Sequence, residues 1–327
     1  MALVRDGSPG SKVANAAAGA AGALCNLARN HGERSASIAA AGGIEALVAL
    51  VRDGSPANKV GAAGALGHMS LNGDHWKPSI ASAGGIHALV ALVRNGMPTG
   101  KAAAANALCS LSYNDAGMSA SIAAAGGIEA LVALVRDGSP DKWAAAAVAL
   151  YNLAHNHGER SASIAAVGGI EALVALVRDG SPDSKVAAAG ALFNLARSHG
   201  EWSASIAAAG GIEALVALVR DGSPVGQAAA AGALAHVSLT DNNRKASIAA
   251  AGGINALVAL VCNGMPAGKA AAANALGNLA YSDAGRSASI AAAGGIEALV
   301  ALVIDGSPGG QTAAAKGGGT PRQPACP

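Results

Sequence analysis

One position in every 42 residues carries a polar side chain that is suited to hydrogen bonding. Four of its seven copies are Asn, whose side-chain amide offers both a donor and an acceptor, as a peptide unit does. The seven residues are Asn26, His68, Ser110, Asn152, Asn194, His236 and Asn278. Catalytic residues are normally singular, so a series of this kind favours repeated hydrogen bonding over a reactive centre.

A second series follows three residues later, one turn along the same face of a helix. Its members are Arg29, Leu71, Tyr113, His155, Arg197, Leu239 and Tyr281. In contact with a ligand, the two arginines favour acidic side chains and the two tyrosines accept apolar ones.

The elements that position both series recur at the same spacing. A Gly-Gly-Ile motif begins at Gly42, Gly84, Gly126, Gly168, Gly210, Gly252 and Gly294. Repeats of this length are typical of helical solenoids. The 327 residues therefore predict one stacked array, although their number alone would suggest about two domains.

Each unit contains three predicted helices. The first is a short Ala-rich run that stops at Gly-Gly, because Gly ends helices at low cost. The second carries Ile212, Leu215, Val216 and Val219 at helical spacing, which gives one apolar face. The third begins at Ser-Pro, a capping Ser before Pro at the first helical position. Three such helices cannot bury their apolar faces alone, so neighbouring units must stack.

Several functions are disfavoured by what the sequence lacks. The net charge is +2 and the basic residues are dispersed, which argues against nucleic-acid binding. No Gly-rich loop ends in Gly-Lys-Ser or Gly-Lys-Thr, so the phosphate-binding motif is missing. His68 and His236 lie four units apart, too far to share a metal. We therefore expect no enzyme activity, no cofactor and no metal.

Membrane insertion is not expected. The uncharged stretch 246–262 is short for a membrane helix and is interrupted by Gly252 and Gly253. With no signal peptide in the sequence, we expect a cytoplasmic protein, or a nuclear one.

The motif Ala-Gly-Gly-Ile-x-x-Leu-Val-x-Leu-Val, followed by Ala-x-Ala-Leu-x-Asn-Leu-Ala, resembles the armadillo-repeat family over residues 8–308. HEAT repeats lack the short helix before Gly-Gly. The resemblance implies an all-α, right-handed solenoid whose third helices line a concave groove. It also implies that the Asn series holds the backbone of an extended peptide or partner protein.

Other interpretations remain open. The Asn side chains could cap or bridge neighbouring helices instead. Importin-α-type receptors carry Trp one turn before the Asn, where this chain has Gly22, Gly64, Asn106, Val148, Gly190, Gly232 and Asn274. A nuclear-import receptor is therefore disfavoured. The alternatives are an adaptor or substrate-recruiting part of a larger protein, such as a ubiquitin ligase, and a membrane-organising scaffold like the vacuolar armadillo proteins.

The sequence divides into three predicted regions. Residues 1–31 form a partial first repeat whose long helix carries a five-residue insertion, 15–19. Residues 32–308 form six complete repeats and a truncated one, and 309–327 form a disordered Gly/Pro-rich tail. Long matches at an offset of 168 residues indicate duplication of a four-unit block. Without polar capping repeats, the array could also associate end to end.

Overall fold

The structure is a computed structural model. It describes residues 9–29, 32–137, 144–155, 157–239 and 241–306, and within these ranges the side chains of residues 16–305. The predicted tail, 309–327, lies outside the described residues. The described chain contains 21 helices and no strand, which confirms the all-α prediction.

The helices fall into three classes that alternate along the chain. The short helices are α2 (Gly32–Ala40), α5 (Trp76–Ser82), α8 (Ala116–Ala124), α11 (Gly158–Ala166), α14 (Gly200–Ala208), α17 (Asn242–Ala250) and α20 (Ala284–Ala292). The second helices are α3 (Gly43–Asp53), α6 (Gly85–Asn95), α9 (Gly127–Asp137), α12 (Gly169–Asp179), α15 (Gly211–Asp221), α18 (Gly253–Asn263) and α21 (Gly295–Gly306). The third helices are α1 (Pro9–Ala28), α4 (Pro56–Asn72), α7 (Pro98–Ser112), α10 (Ala144–Ala154), α13 (Pro182–Ser198), α16 (Pro224–Val237) and α19 (Pro266–Ala280). The predicted unit of three helices is confirmed, and the residues of the 15–19 insertion continue helix α1.

Helix boundaries follow from the local sequence. The first Gly of each Gly-Gly pair is left-handed, with φ between 73° and 80°, and six of the helix pairs that it joins are bent by 75–85°. Ser55, Ser181 and Ser223 cap third helices by accepting a hydrogen bond from the backbone N–H three residues later. Pro follows each of these serines and starts the helix.

The chain forms two compact units. Unit 1 comprises residues 1–154 and 162–167, and unit 2 comprises residues 155–161 and 168–327. Within each unit, third helices pack on third helices and second helices pack on second helices of the next repeat. Each unit is therefore a stack of repeats.

The core of each repeat is the aliphatic face of its second helix. Ile212, Leu215, Val216 and Val219 are all at most 2% exposed, as the helical spacing predicted. Burial of one such side chain stabilises the fold by roughly 1.5–3 kcal/mol, so stacking of successive repeats provides the main stabilising term.

Small residues let the third helices approach closely. A Cβ added at Gly67 would lie 3.2 Å from the Cα of Ala107, and one at Gly232 would lie 3.0 Å from the ring of Phe193. The Gly residues that weaken a helix in isolation therefore serve as contact points between neighbouring helices.

Helix α21 differs from the preceding second helices. Its Ile296, Val300 and Val303 are 57%, 53% and 71% exposed, whereas the equivalent Ile44 and Val48 are each 3% exposed. End-to-end association through this face stays a prediction.

No described helix is by itself long and apolar enough to cross a membrane; six sharply bent pairs of a short and a second helix reach the required length and composition only together.

A pair of Gly-to-Ala substitutions separates backbone strain from crowding. Nothing lies within 4 Å of a Cβ added at Gly210 or at Gly277, but only Gly210 is left-handed, with φ +76°. We expect Gly210→Ala to lower the free energy of unfolding by about 1–2 kcal/mol. Gly277→Ala, inside α19, should raise it by about 0.5–1 kcal/mol. Denaturant titration measures both, and equal effects would contradict the strain argument.

Candidate functional site

The second series forms an exposed row in each unit. All seven of its members are exposed; Leu71, Tyr113, Leu239 and Tyr281 have exposed fractions of 60%, 55%, 50% and 72%. We call Arg29, Leu71, Tyr113, His155, Arg197, Leu239 and Tyr281 the third-helix strip. Leu71 and Leu239 were not predicted as contact residues, although their register matched that of the other five.

The first series, which we call the Asn series, is on the whole less exposed than the strip, and two of its Asn residues join adjacent third helices. In unit 1, Asn152 Nδ2 donates to the carbonyl oxygen of Cys109 and to Ser112 Oγ, each at 3.2 Å. In unit 2, Asn278 Nδ2 donates to the carbonyl oxygen of Ala235 at 2.8 Å. The bridging interpretation therefore describes these two amides, and a contact with a peptide stays a prediction.

The other members of the first series are placed unequally. Asn194 is 1% exposed, and its Oδ1 accepts a 3.5 Å hydrogen bond from Arg197 Nη2. Ser110 is 8% exposed and donates to the carbonyl oxygen of Asn106. Asn26 is exposed, and His68 and His236 are half-buried. The sequence did not predict the burial of Asn194, because Asn194 shares its register with the exposed Asn26 and register does not give the depth at which a side chain packs.

Each strip tyrosine stands at a sharp turn. Tyr113 follows the last residue of α7, and the next residue, Asn114, is left-handed with φ 49°. Asp115 then caps α8 by accepting from the backbone N–H of Met118 at 2.9 Å. The equivalent turn at Tyr281 has Ser282 at φ 59°. Two helix ends thus fix the backbone on either side of the ring, and the side chain projects into solvent.

A buried lysine lies beneath each of these turns. Lys77, 1% exposed, donates from Nζ to the carbonyl oxygen of Tyr113 at 2.8 Å. Lys245, 3% exposed, makes the equivalent bond to Tyr281 at 3.5 Å, and its Nζ lies 5.5 Å from the centre of that ring. A positive charge at a helix C-terminus is favourable, so the lysines stabilise the turns.

Sequence reasoning missed these lysines, although a signal existed. The other five repeats have Ser at this position, and only the two repeats whose third helix is followed by a tyrosine have Lys. Asp74 forms a 2.8 Å ion pair with Lys77, and the hydrogen bond to this ammonium lowers the pKa of its carboxyl group.

An aromatic ring joins two basic residues in unit 2. Arg197 Cζ lies 5.6 Å from the centre of the Phe193 ring. The His236 ring, from the next third helix, packs edge-on against Phe193 with 5.2 Å between ring centres. Burial, and secondarily the charge of Arg197, lowers the pKa of His236. In unit 1, burial and Arg29 lower the pKa of His68 in the same way.

A cavity of about 800 Å³ lies in unit 2 between α12 and α15, away from the strip. Charges of both signs line it, including Arg178, Lys185, Glu213 and Asp221. A smaller one of about 370 Å³ lies between the equivalent helices α6 and α9 of unit 1. The cavity is therefore a repeated consequence of stacking the second helices. In the described part of the chain, no three His, Cys, Asp or Glu residues form a group that could hold a metal ion.

Comparison with known proteins agrees with this geometry. Residues 162–197 match the model of the armadillo/beta-catenin-like repeat. An engineered protein of known crystal structure is 31% identical to this chain in sequence. The match covers 93% of this chain and 74% of the engineered one, with a TM-score of 0.82. A second engineered protein is 30% identical over 72% of this chain and 96% of its own, with a TM-score of 0.68. The chain belongs to the armadillo-repeat family.

Designed armadillo repeat proteins share the fold at lower identity. One of them, in complex with the peptide (KR)4, is 23% identical, covers 72% of this chain and 99% of its own, and gives a TM-score of 0.65. No curated protein gives a significant match.

The bridging role of the Asn series is testable on one helix. We expect Asn278→Ala to lower the free energy of unfolding by roughly 0.5–1.5 kcal/mol, because it removes the bond to the Ala235 carbonyl oxygen. Asn274, one turn earlier in α19, is exposed, and Asn274→Ala should change stability by less than about 0.5 kcal/mol. Urea titration of both variants compares them, and equal losses would argue against a bridge.

The two half-buried histidines predict a loss of stability in mild acid. Their pKa values are lower in the folded protein than in the unfolded chain, so the unfolded chain binds more protons below about pH 6.5. Stability is therefore complete above that pH and falls as the pH decreases. Urea titrations between pH 7.5 and 5.0 should show this fall, and it should be smaller in the double variant His68→Gln/His236→Gln. A variant of the exposed His87, His87→Gln, serves as the control.

Proposed function

We propose that this armadillo protein is a non-enzymatic scaffold that binds an extended segment of a partner protein along the third-helix strip. The observation that carries the proposal is the exposure of the whole second series, one side chain per repeat at or just beyond the C-terminal end of each third helix. One exposed position repeated in every unit suits an extended peptide, whose residues are also regularly spaced.

An extended peptide has the dimensions that such a strip requires. Packed helices lie about 8–10 Å apart, and an extended chain advances about 3.3–3.6 Å per residue. Each repeat then meets two or three ligand residues. Binding energy is the sum of modest contacts from several repeats, and the apolar strip residues Leu71, Tyr113, Leu239 and Tyr281 provide the larger ones, since aromatic anchors dominate interfaces.

The Asn series has a second role in this proposal. At Asn152 and Asn278 the bridging bonds use Nδ2, and the proposal assigns the acceptor Oδ1 to a backbone N–H of the ligand. An amide held from one side is already oriented for the other, which reduces the entropy that binding removes. Asn26 is exposed and serves the first repeat in the same way.

Fold neighbours support this mode of binding. Computationally designed armadillo repeat proteins have been made for modular peptide recognition, and one is in complex with (KR)4. Arg29 and Arg197 are cationic, so we propose a ligand with acidic rather than basic side chains facing them.

The tyrosines provide the test. Peptides selected by display on the full chain should lose about tenfold or more in affinity in the double variant Tyr113→Ala/Tyr281→Ala, because each ring is an exposed anchor. The backbone carbonyl groups that accept from Lys77 and Lys245 are retained. Met97→Ala/Met265→Ala is the control, since these residues are 61% exposed at the opposite ends of the same helices. Fluorescence anisotropy measures both variants, and equal affinities would refute the assignment of the strip.

A further inference from the structure

Second helices contact each other through two different apolar faces. In unit 2, a Cβ added at Gly211 of α15 would lie 3.1 Å from Cγ2 of Val174 on α12. The same contact recurs, at 3.2–3.3 Å, between α15 and α18, between α18 and α21, and in unit 1 between α3 and α6. We call the face turned to the next repeat the forward face (Ile170, Val174 and Val177 on α12) and the face turned to the preceding repeat the backward face (Gly211, Ala214 and Leu218 on α15).

The forward face is uncovered on α21. On α12, Val174 and Val177 are buried. The equivalent residues of α21, Val300 and Val303, are more than half exposed, and so is Ile296. The surface that forms the core of an inner repeat is therefore open to solvent on α21.

The backward face is open on α3. Ala46 is exposed, whereas the equivalent Ala of the other six described second helices is at most 9% exposed. Gly43 and Leu50, on the same face, are half-buried. In the part of the chain that the structure describes, no second helix precedes α3.

The first and last described helices also complement each other in class. Helix α1 is a third helix that packs on α2 and α4 of the following repeat, and the described residues include no short and second helix before it. Helices α20 and α21 are a short and a second helix, and no third helix follows them within the described ranges. Together, α20, α21 and α1 have the composition of one complete repeat.

We infer that this protein associates head to tail, with the forward face of α21 in one copy packed on the backward face of α3 in a second copy. Helix α1 of the second copy then lies beside α20 and α21 as their third helix, so the junction is one complete repeat made from two chains. This association does not depend on the proposed peptide binding.

The inner repeats show that the two faces fit each other. Helices α12 and α15 have identical sequences and pack on each other. Helix α3 has that sequence as well, and over the same length α21 differs from it only in having Ile304 where α3 has Arg52. A second copy of the chain therefore offers the surface that already covers a forward face within each unit.

Size complementarity favours this contact over a symmetric one between two α21 helices. The forward face carries large aliphatic side chains, and the backward face receives them with Gly and Ala, as Gly211 receives Val174. Two forward faces would oppose Val to Val without such space, and overpacked contacts are unfavourable. A head-to-tail contact uses two different faces, so it continues beyond the dimer unless a ring closes, whereas a symmetric contact stops at two chains.

The first test measures the mass of the full chain in solution by sedimentation velocity. The weight-average mass should increase between about 2 and about 200 µM chain, because association follows mass action. A chain that stays monomeric over this range would overturn the inference, since the two faces would then be covered by other residues of the chain or left for a different protein.

Single lysines block one face at a time. Val300→Lys on α21 and Ala46→Lys on α3 replace exposed residues, so the chain should still fold, but the contact would have to bury an ammonium group. Each variant should weaken self-association at least about tenfold. Val225→Lys and Ala124→Lys make the same changes at exposed residues of α16 and α8, and they should associate like the unmodified chain.

Mixing the two blocked variants distinguishes a head-to-tail contact from a symmetric one. Val300→Lys retains an intact α3 and Ala46→Lys retains an intact α21, so an equimolar mixture should form a dimer of one chain of each that grows no further. Self-dimerisation of Ala46→Lys would show that α21 pairs with α21, and the inference would be wrong. It would also be wrong if the control variants weakened association equally. Circular dichroism verifies that each variant is folded, and Val303→Lys on the same exposed face replaces Val300→Lys if that variant unfolds.

Discussion

The fold depends on the burial of each repeat's aliphatic face by the next repeat. A single repeat has only three helices and almost no aromatic residues, so side chains of the neighbouring repeats complete its core. The contrast between Ile44, 3% exposed, and its equivalent Ile296, 57% exposed, shows the magnitude of this dependence. Because the second helices before α21 use their apolar faces for stacking, the surfaces that remain open for binding are those on the third helices. The third-helix strip is such a surface. It has one residue per repeat because the same packing repeats once per unit.

Close packing of the third helices links the fold to the chemistry of the strip. Gly232 leaves room for the ring of Phe193, which a Cβ would approach to 3.0 Å. That ring contacts both Arg197 and His236. A larger residue at position 232 would separate the two helices and with them the two basic groups. The Trp of importin-α-type arrays occupies this register, so its replacement by Gly opens the space in which Phe193 packs.

Much of the fold could be predicted from the sequence, because its signals are local and repeated sevenfold. Gly-Gly gave the left-handed turns, Ser-Pro gave the capped starts of third helices, and helical spacing gave the buried face of each second helix. The site was less predictable. The register of the strip was visible, and bridging by the Asn side chains was one of two open interpretations. The sequence could not decide between them, since the bonds of Asn152 and Asn278 depend on the offset between neighbouring helices. Burial of Lys77 was missed for a related reason: its partner, the Tyr113 carbonyl oxygen, follows the third helix of the same repeat, 36 residues further along the chain, and the sequence does not show how closely that helix end packs on the short helix.

The two halves of the array are not chemically identical, and the difference bears on how each holds its strip arginine. Phe193 of unit 2 is replaced by Cys25 in unit 1. In unit 2, Arg197 is placed by the ring and by its hydrogen bond to Asn194, so little side-chain entropy remains to be lost when a ligand binds. In unit 1, a thiol gives Arg29 no aromatic face on which to stack. The equivalent arginines of the two units therefore carry the same charge but differ in preorganisation. In the proposed mode of binding, an acidic side chain of the ligand gains more from Arg197 than from Arg29.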